Sequence, residues 1–358
     1  MNSVSTLGMA LRTREMVSAA QSEISKISGE VGSGFKRDVA ASIGTRLGED
    51  ISMRNLYDQV EEYNNNITLL GMRMDTMSDA YNGVEKVTSE FFGKMATMLG
   101  DSQMTEVMQQ EAKATLERIV QHLNAMTGDR YLFSGVDVDT PPMQQPDKVN
   151  PGTAYSPMEA MQEMLGMNPP ADAASAQDFV NFIGLAFSSD PSVPAHLRFE
   201  GTFYNGTPAL DASGQPNPRV TGRVDQTRVL EYGAQGNDRA FRDILMGVYM
   251  IASVDVTDMP KEAYDVYVGA AYDAIGRGLT ASRRDLAVLA GYQNDLEAQV
   301  KINENSLKIM NERIVGLETV NLVEANARMT VLETQLQASI VLTNKMAGLS
   351  IASIMVGR

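Results

Sequence analysis

The 358-residue sequence contains no cysteine and no tryptophan, and its only histidines are His122 and His196. Without cysteine the chain cannot form disulfides, thiolate metal sites or a thiol nucleophile. Two separate histidines leave little for zinc binding or for acid–base chemistry by imidazole. Aromatic residues make up 6% of the chain, whereas 24 methionines contribute to a hydrophobic fraction of 43%. This composition predicts an ordered, mainly helical protein with no cofactor and no metal site.

Basic residues and long apolar runs are also scarce. The 45 acidic and 30 basic side chains give a net charge of −15, which argues against nucleic acid as a partner because its phosphates require a basic face. The longest apolar run, from Ile244 to Ala252, is nine residues and too short to span a bilayer. The start "MNSVSTLGMALRTREM" has no basic segment followed by an apolar core. We therefore expect neither a membrane partner nor a cleaved signal peptide.

Proline is nearly confined to the middle of the chain, because twelve of the 13 prolines fall between Pro141 and Pro218. Long helices can therefore run before and after this region. Within it, "SPME" from Ser156 and "SAQD" from Ser175 have the spacing of helix N-caps. The segments "AHLRFEGTFYNGT" and "RVTGRVDQTRVLEYG" are rich in β-branched and aromatic residues and predict a few strands. The middle is thus expected to be a small mixed α/β, β-rich module.

Both arms of the chain carry apolar stripes. From Met53 to Met98, apolar residues recur at alternating steps of three and four, which predicts a helix about 70 Å long that packs at a shallow angle. A second stripe from Ala112 to Met126 predicts a helix that ends at Gly128.

The C-terminal arm repeats this pattern from Leu286 to Leu317, with polar Gln293 and Asn303 at positions that face the partner helix. Such a polar residue can fix the register of two helices at some cost in stability. After Leu317 the pattern shifts phase and resumes at Leu322, which indicates a joint between packing partners. A shorter stripe near the N-terminus is interrupted by "GEVGSGF". We expect two joined layers, each built from both chain ends.

The predicted fold class is therefore mainly α: a long antiparallel helical bundle or coiled-coil rod formed by both chain ends, with a small inserted domain. Residues 1–42 and 318–358 are predicted to form a terminal helical assembly domain. Residues 43–142 and 223–317 are predicted to form a helical rod domain with a short β element, and residues 143–222 an inserted outer variable domain.

Several features suggest chemistry but have simpler interpretations. "GEVGSGF" lacks the Lys-Ser/Thr of a phosphate loop and is expected to be a hinge or a helix break. Glu61 and Glu62 do not face each other on a helix, and Asp137 and Asp139 lie in an expected loop, so both pairs are interpreted as solvated surface. The methionine-rich stripe is expected to be adaptable packing. The sequence therefore predicts no enzyme, with a cell-wall hydrolase or adhesin in the middle module as an alternative.

The stretch "GDRYLFSGVDVDTPPM" joins the first arm to the middle module. We expect its tyrosine, leucine and phenylalanine to pack as a strand against the helical rod, although any buried strand would have a similar sequence. The glycines permit turns and the prolines prevent a helix from resuming. The structural turn residues predicted here are Gly128, Tyr131, Phe133, Gly135, Pro141 and Pro142.

This stretch resembles the "GRYLFSG…DTPP" signature of the hook–filament junction family, hook-associated protein 3, within the flagellin superfamily. The segment from Gly32 to Ala80 is similar to the alphaproteobacterial branch of that family. Arg223 to Leu245 resembles the segment that re-enters the second arm, and Asn321 to Met355 resembles the shared C-terminal helix. "DVAASIG" stands where filament flagellins have Asn-x-Ala-x-Asp-Asp, which favours the junction family over filament flagellin.

The resemblance implies a structural protein of the bacterial flagellum that joins hook to filament through its terminal helices. It implies extracellular localisation after type III export without a cleaved signal peptide. The implied partners are hook-associated protein 1, flagellin, copies of the chain in a ring, and an export chaperone that binds the C-terminal helix. Filament flagellin is the alternative. The predicted assembly residues are Val17, Ile24, Ile27, Leu322, Met329, Leu332, Leu336, Ile340 and Met346.

Overall fold

The computed structural model of the protein describes residues 6–98, 106–254 and 259–356. Its helices are α1 (Thr6–Ser33), α2 (Val39–Ile43), α3 (Leu47–Met98), α4 (Glu106–Leu123), α5 (Pro157–Met167), α6 (Ala173–Phe187), α7 (Arg239–Ser253), α8 (Lys261–Glu318) and α9 (Leu322–Val356). Short strands form two hairpins, β1 (Met126–Thr127) with β2 (Arg130–Tyr131) and β3 (Thr221–Arg223) with β4 (Val229–Glu231). The mainly α fold class predicted from the sequence is confirmed.

The chain divides into two compact units. Residues 1–61 and 304–358 form one, called here the terminal unit, and residues 62–303 form the other, called the central unit. Helices α3 and α8 each contribute residues to both. The division into three domains drawn from the sequence stays a prediction.

The core of the central unit contains the apolar stripe predicted along α3. This stripe is buried because the side chains recur on one face of the helix. Helix α7 packs on α4, and α7 is buried around nearly its whole circumference, which accounts for the long apolar run in its sequence. The stripe residues buried in this unit are Ile67, Leu70, Met74, Met77, Tyr81, Val84, Thr88, Phe91 and Met95.

Helices α3 and α8 are bridged by polar contacts in the central unit. As the chain position rises along α3, the position of the partner falls along α8, so the two helices are antiparallel. Both polar residues expected to fix the register have a partner on the facing helix. The bridges are Asn303 Nδ2 to Asn64 Oδ1 at 2.8 Å, Gln293 Nε2 to Asp75 Oδ1 at 2.7 Å, and Arg283 Nε to Glu85 Oε1 at 2.7 Å.

Helix α4 ends at Leu123, earlier than the end predicted at Gly128. The apolar stripe misled the prediction, because Met126 belongs to the first strand of a hairpin and pairs with Tyr131. Gly128 lies in the two-residue turn with φ of +63°, a conformation that favours glycine. The strand expected to include Phe133 ends at Tyr131.

The two helix starts predicted in the middle module have different outcomes. Helix α5 begins with a reciprocal capping box between Ser156 and Glu159, as predicted. The prediction of Ser175 as the second N-cap is wrong, because Asp172 caps α6 and Ser175 occupies the third helical position. The Asp172 carboxylate accepts from the Ser175 backbone N–H at 2.8 Å. The Asp172 side chain therefore satisfies a backbone N–H in the first turn of α6.

Of the two segments predicted as strands in this region, only the second forms them, as β3 and β4. "AHLRFEGTFYNGT" instead contains a 3₁₀ turn at Ala195–Leu197 and a π-type turn at Phe199–Phe203. Both phenylalanines of the second turn are buried against Phe187. Gly201 has φ of +112°, which bends the backbone so that the two rings can pack into the same core.

Candidate assembly site

Helices α1 and α9 pack against each other in the terminal unit. The residues facing the contact recur every three or four positions, as expected for two amphipathic helices. Thr13 and Ile27 on α1 and Ala325 on α9 are buried, and eight other facing residues are half-buried. These half-buried residues are Val17, Ala20, Ile24, Val31, Met329, Leu332, Leu336 and Ser339.

The same two helices expose many large apolar side chains. Val323 is 82% exposed and Met16 is 63% exposed. Single exposed apolar residues are common on soluble proteins, whereas a contiguous patch of them marks a surface that binds other protein. The others of this kind on α1 and α9 are Leu11, Leu322, Val331, Ile340, Val341 and Leu342.

An open groove of about 440 Å³ lies between α1 and α9. Ile27, Val331 and Leu332 supply its apolar lining. Glu324 and Arg328 also line it and form an ion pair at 2.7 Å, one helical turn apart. The groove therefore offers an apolar strip beside charged groups.

The predicted assembly residues have different positions in this unit. Val17, Ile24 and Ile27 lie on the α9-facing side of α1, whereas Leu322 and Ile340 are exposed on α9. Met329, Leu332 and Leu336 are half-buried. The side chain of Met346 lies outside the described residues. The predicted set thus includes residues that hold the helix pair together and residues that the pair leaves uncovered.

The two breaks predicted from the sequence, in "GEVGSGF" and after Leu317, lie beside each other. Phe35 forms an antiparallel bridge with Thr319. Lys36 N–H donates to the Glu318 carbonyl at 2.8 Å, and Val320 N–H donates to the Gly34 carbonyl at 3.0 Å. The breaks therefore form one joint, in which each segment satisfies backbone groups of the other.

Two ion pairs join α3 to α8 near this joint. Arg54 binds Glu318, and the Arg313 Nε donates to Glu49 at 2.8 Å. The hydrogen bond from Arg313 lowers the pKa of Glu49, and the hydrogen bond to Glu318 raises the pKa of Arg54. Sequence reasoning missed these pairs because the charges are far apart in the chain and have no periodic signal.

The residues predicted to turn the chain out of the first arm occupy a packed region of the central unit. Phe133 is fully buried, with its ring centroid 5.9 Å from that of Tyr81 and 5.6 Å from that of Phe241. Gly135 has φ of +71°, and a Cβ there would lie 2.8 Å from Thr207. The segment from Pro141 to the start of α5 contains no helix.

A model of the bacterial flagellin N-terminal helical region matches residues 4–137, which include α1, α3 and α4. Over these residues the chain is flagellin-like. Its long paired helices, with a small β-containing insertion, agree with this assignment.

Solved structures include flagellar proteins to which this flagellin-like chain is similar. A flagellar hook-associated protein from Vibrio parahaemolyticus has a TM-score of 0.50 and 12% sequence identity, covering 77% of this chain and 98% of that chain. FlgL from Bacillus cereus has a TM-score of 0.39 and 11% identity, covering 75% of this chain and 98% of that chain. No curated protein sequence matches. The first likeness supports the flagellin-like fold.

Among the described residues, none of the helices is both long and apolar enough to cross a membrane. Within the same ranges, no three histidine, aspartate or glutamate side chains are grouped so that they could hold a metal ion.

Proposed function

We propose that this flagellin-like protein is a non-enzymatic structural component of the junction between the flagellar hook and filament. The observation that carries the proposal is the set of exposed large apolar residues on α1 and α9. The contact between the two helices leaves these residues in water, and burying them against neighbouring subunits would provide the main driving force for assembly.

The "GDRYLFSGVDVDTPPM" stretch favours the junction over the filament. Its hairpin and the buried Phe133 close the first arm at the point where the chain enters the middle module. The resemblance of this stretch to the junction family, together with "DVAASIG" near the N-terminus, supports the finer assignment. The proposed partners are hook-associated protein 1, flagellin and other copies in a ring, with an export chaperone bound before type III secretion.

The function is tested first in a deletion strain by electron microscopy of the cell surface and by analysis of secreted proteins. The proposal predicts hooks without filaments and loss of flagellin into the medium. Intact hooks bearing filaments of normal length would refute it.

The role of these exposed residues is tested by Val331→Asp and Ile340→Asp. Both residues are exposed in the monomer, at 55% and 46%, so a charge there should leave the fold of the terminal unit intact. We expect each variant to be secreted but to support few or no filaments. Thr334→Asp is the control, because it places the same charge on an exposed polar residue of α9. Normal filament numbers with both apolar-site variants would contradict the proposed surface.

Filament flagellin is the second candidate, because the matched region belongs to flagellin. The two candidates differ in how the purified chain polymerises. A filament subunit should form long filaments by itself, whereas a junction protein should form none or only short ones. Electron microscopy of the purified full-length chain at rising concentration distinguishes them.

A further inference from the structure

A second surface feature lies in the central unit, away from the exposed apolar residues of α1 and α9. Two adjoining pockets of about 530 and 620 Å³ share Arg239, at the start of α7, and Arg284, on α8. We call this pair of pockets the arginine groove. Its two volumes fall within the range of about 300–1,000 Å³ that is usual for ligand sites.

The two shared arginines have guanidinium groups available to a ligand. Each side chain is 76% exposed, and their ion pairs within the chain are long, at 3.6 Å from Arg239 to Asp243 and 3.5 Å from Arg284 to Asp285. A charge-assisted hydrogen bond is typically about 2.7–2.9 Å. These arginines can therefore form shorter bonds to carboxylates of a ligand.

A third arginine of the groove, Arg219, differs from these two because its guanidinium forms short bonds within the chain. Arg219 donates to both carboxylate oxygens of Asp238, at 2.5 and 3.2 Å, and to the Gly233 carbonyl at 3.1 Å. Its guanidinium is consequently engaged with the wall of the groove. Arg219 is bonded to the wall of the groove, whereas the guanidinium groups of Arg239 and Arg284 are accessible to a ligand.

Aromatic rings line both pockets of the groove. Tyr232 and Tyr292 line the first pocket. In the second, the rings of Phe92 and Tyr272 stack with centroids 4.1 Å apart and planes 14° apart. The electron-rich faces of such rings attract the weakly positive C–H faces of sugar rings. Arginines beside tyrosines suit a ligand that has both flat C–H faces and negative groups. Glu231 and Asp273, which also line the pockets, suit the hydroxyl groups of the same ligand because a carboxylate accepts hydrogen bonds.

We propose that the arginine groove binds a short acidic saccharide, with its carboxylates at Arg239 and Arg284 and its sugar rings against Tyr292 and Tyr272. The two pockets suit a ligand of several sugar units. A chain with a net charge of −15 repels anions in general, so binding of such a ligand requires a local site of this kind.

The proposal is tested by titrating the full-length protein with trigalacturonic acid in a calorimeter at near-physiological salt. Maltotriose is the neutral control ligand. We expect saturable binding of the acidic trimer and none of maltotriose. The Arg239→Gln/Arg284→Gln double variant should weaken binding about tenfold or more, because each substitution removes a hydrogen bond from a charged donor.

The matched control protein is Arg283→Gln. Arg283 is adjacent to Arg284 and 59% exposed, but it bonds Glu85 at 2.7 Å and does not line either pocket. This variant should bind as the unaltered protein does, whereas Tyr292→Leu should bind more weakly. Circular dichroism verifies that each variant is folded.

Three results would overturn the proposal: no binding of trigalacturonic acid, equal binding of maltotriose, or undiminished binding by the double variant. Sedimentation of the same proteins can give a fourth contradicting result. If the double variant self-associates less than the unaltered protein, and the unaltered protein does not bind the saccharide, the groove binds acidic side chains of a second copy instead.

Discussion

Asn303 on α8 donates a hydrogen bond from Nδ2 to Oδ1 of Asn64 on α3, at 2.8 Å. Asn303 is buried, and its own Oδ1 accepts from Gln299 Nε2 at 3.0 Å. A polar pair within a helix contact is satisfied in one alignment of the two helices and unsatisfied in others. This pair therefore selects the register of α3 against α8.

Replacing Asn303 with alanine should lower the free energy of unfolding by about 1–3 kcal/mol, because it leaves the Asn64 amide without this partner. Urea unfolding measures the change. The Asn64→Leu/Asn303→Leu double variant should recover much of the lost stability, since it removes both polar groups. Asn294→Ala, at an exposed position of α8, is the control. Equal effects of N303A and N294A on the free energy of unfolding would show that the Asn64–Asn303 pair contributes nothing to stability.

Gly83 on α3 provides space for His122 on α4. A Cβ added at Gly83 would lie 2.4 Å from Cε1 of the histidine ring. Gly83→Ala should therefore destabilise the protein by about 1–3 kcal/mol, as overpacking does. Gly93→Ala, on the same helix, would place its Cβ with nothing within 4 Å and should instead stabilise by about 0.5–1 kcal/mol. Thermal and urea unfolding of both variants measure this difference in sign.

A second substitution tests the cause of the Gly83 effect. If the clash with the ring is responsible, adding Gly83→Ala to His122→Ala should destabilise the protein less than adding Gly83→Ala to the unaltered chain. Additive effects of the two substitutions would exclude the clash.

Phe133 packs against both Tyr81 and Phe241, whose own ring centroids lie 4.8 Å apart. Phe133→Ala should cost about 3–5 kcal/mol, because it leaves a cavity in this aromatic cluster. Val136→Ala, at an exposed position three residues later, should change stability by less than about 0.5 kcal/mol. Guanidinium unfolding checks both. A small effect of Phe133→Ala would mean that the neighbouring rings can close the cavity.

The pH dependence of stability should include a contribution from His122, because burial lowers its pKa. In the unfolded chain the ring takes up a proton near its ordinary pKa of about 6.5, whereas the folded protein resists protonation to lower pH. The contribution is therefore present above this range and is lost as the pH falls through it. Replacing His122 with glutamine should make the protein relatively more stable at pH 5.5 than at pH 8, compared with the unaltered chain. A difference between the two proteins that is independent of pH would contradict this.

The sequence alone determined the long helices, their apolar faces and their interruptions. Side chains from Ile67 to Met95 follow a period that only a helix can bury on one face, and Gln293 and Asn303 stood out as polar residues within such a face. The flagellin-like assignment also came from local segments of the chain. Patterns of this kind are visible because they depend on neighbours within a few turns.

Tertiary structure alone decided how distant segments meet. Nothing local in the sequence links Phe35 to Thr319, yet their bridge turns two helix breaks into one joint. The end of α4 at Leu123 was likewise decided by the pairing of Met126 with Tyr131, which outweighed the helical pattern. The arginine groove escaped prediction for the same reason. Its arginines and rings come from α3, α7, α8 and the segments between them, and only folding brings these groups together.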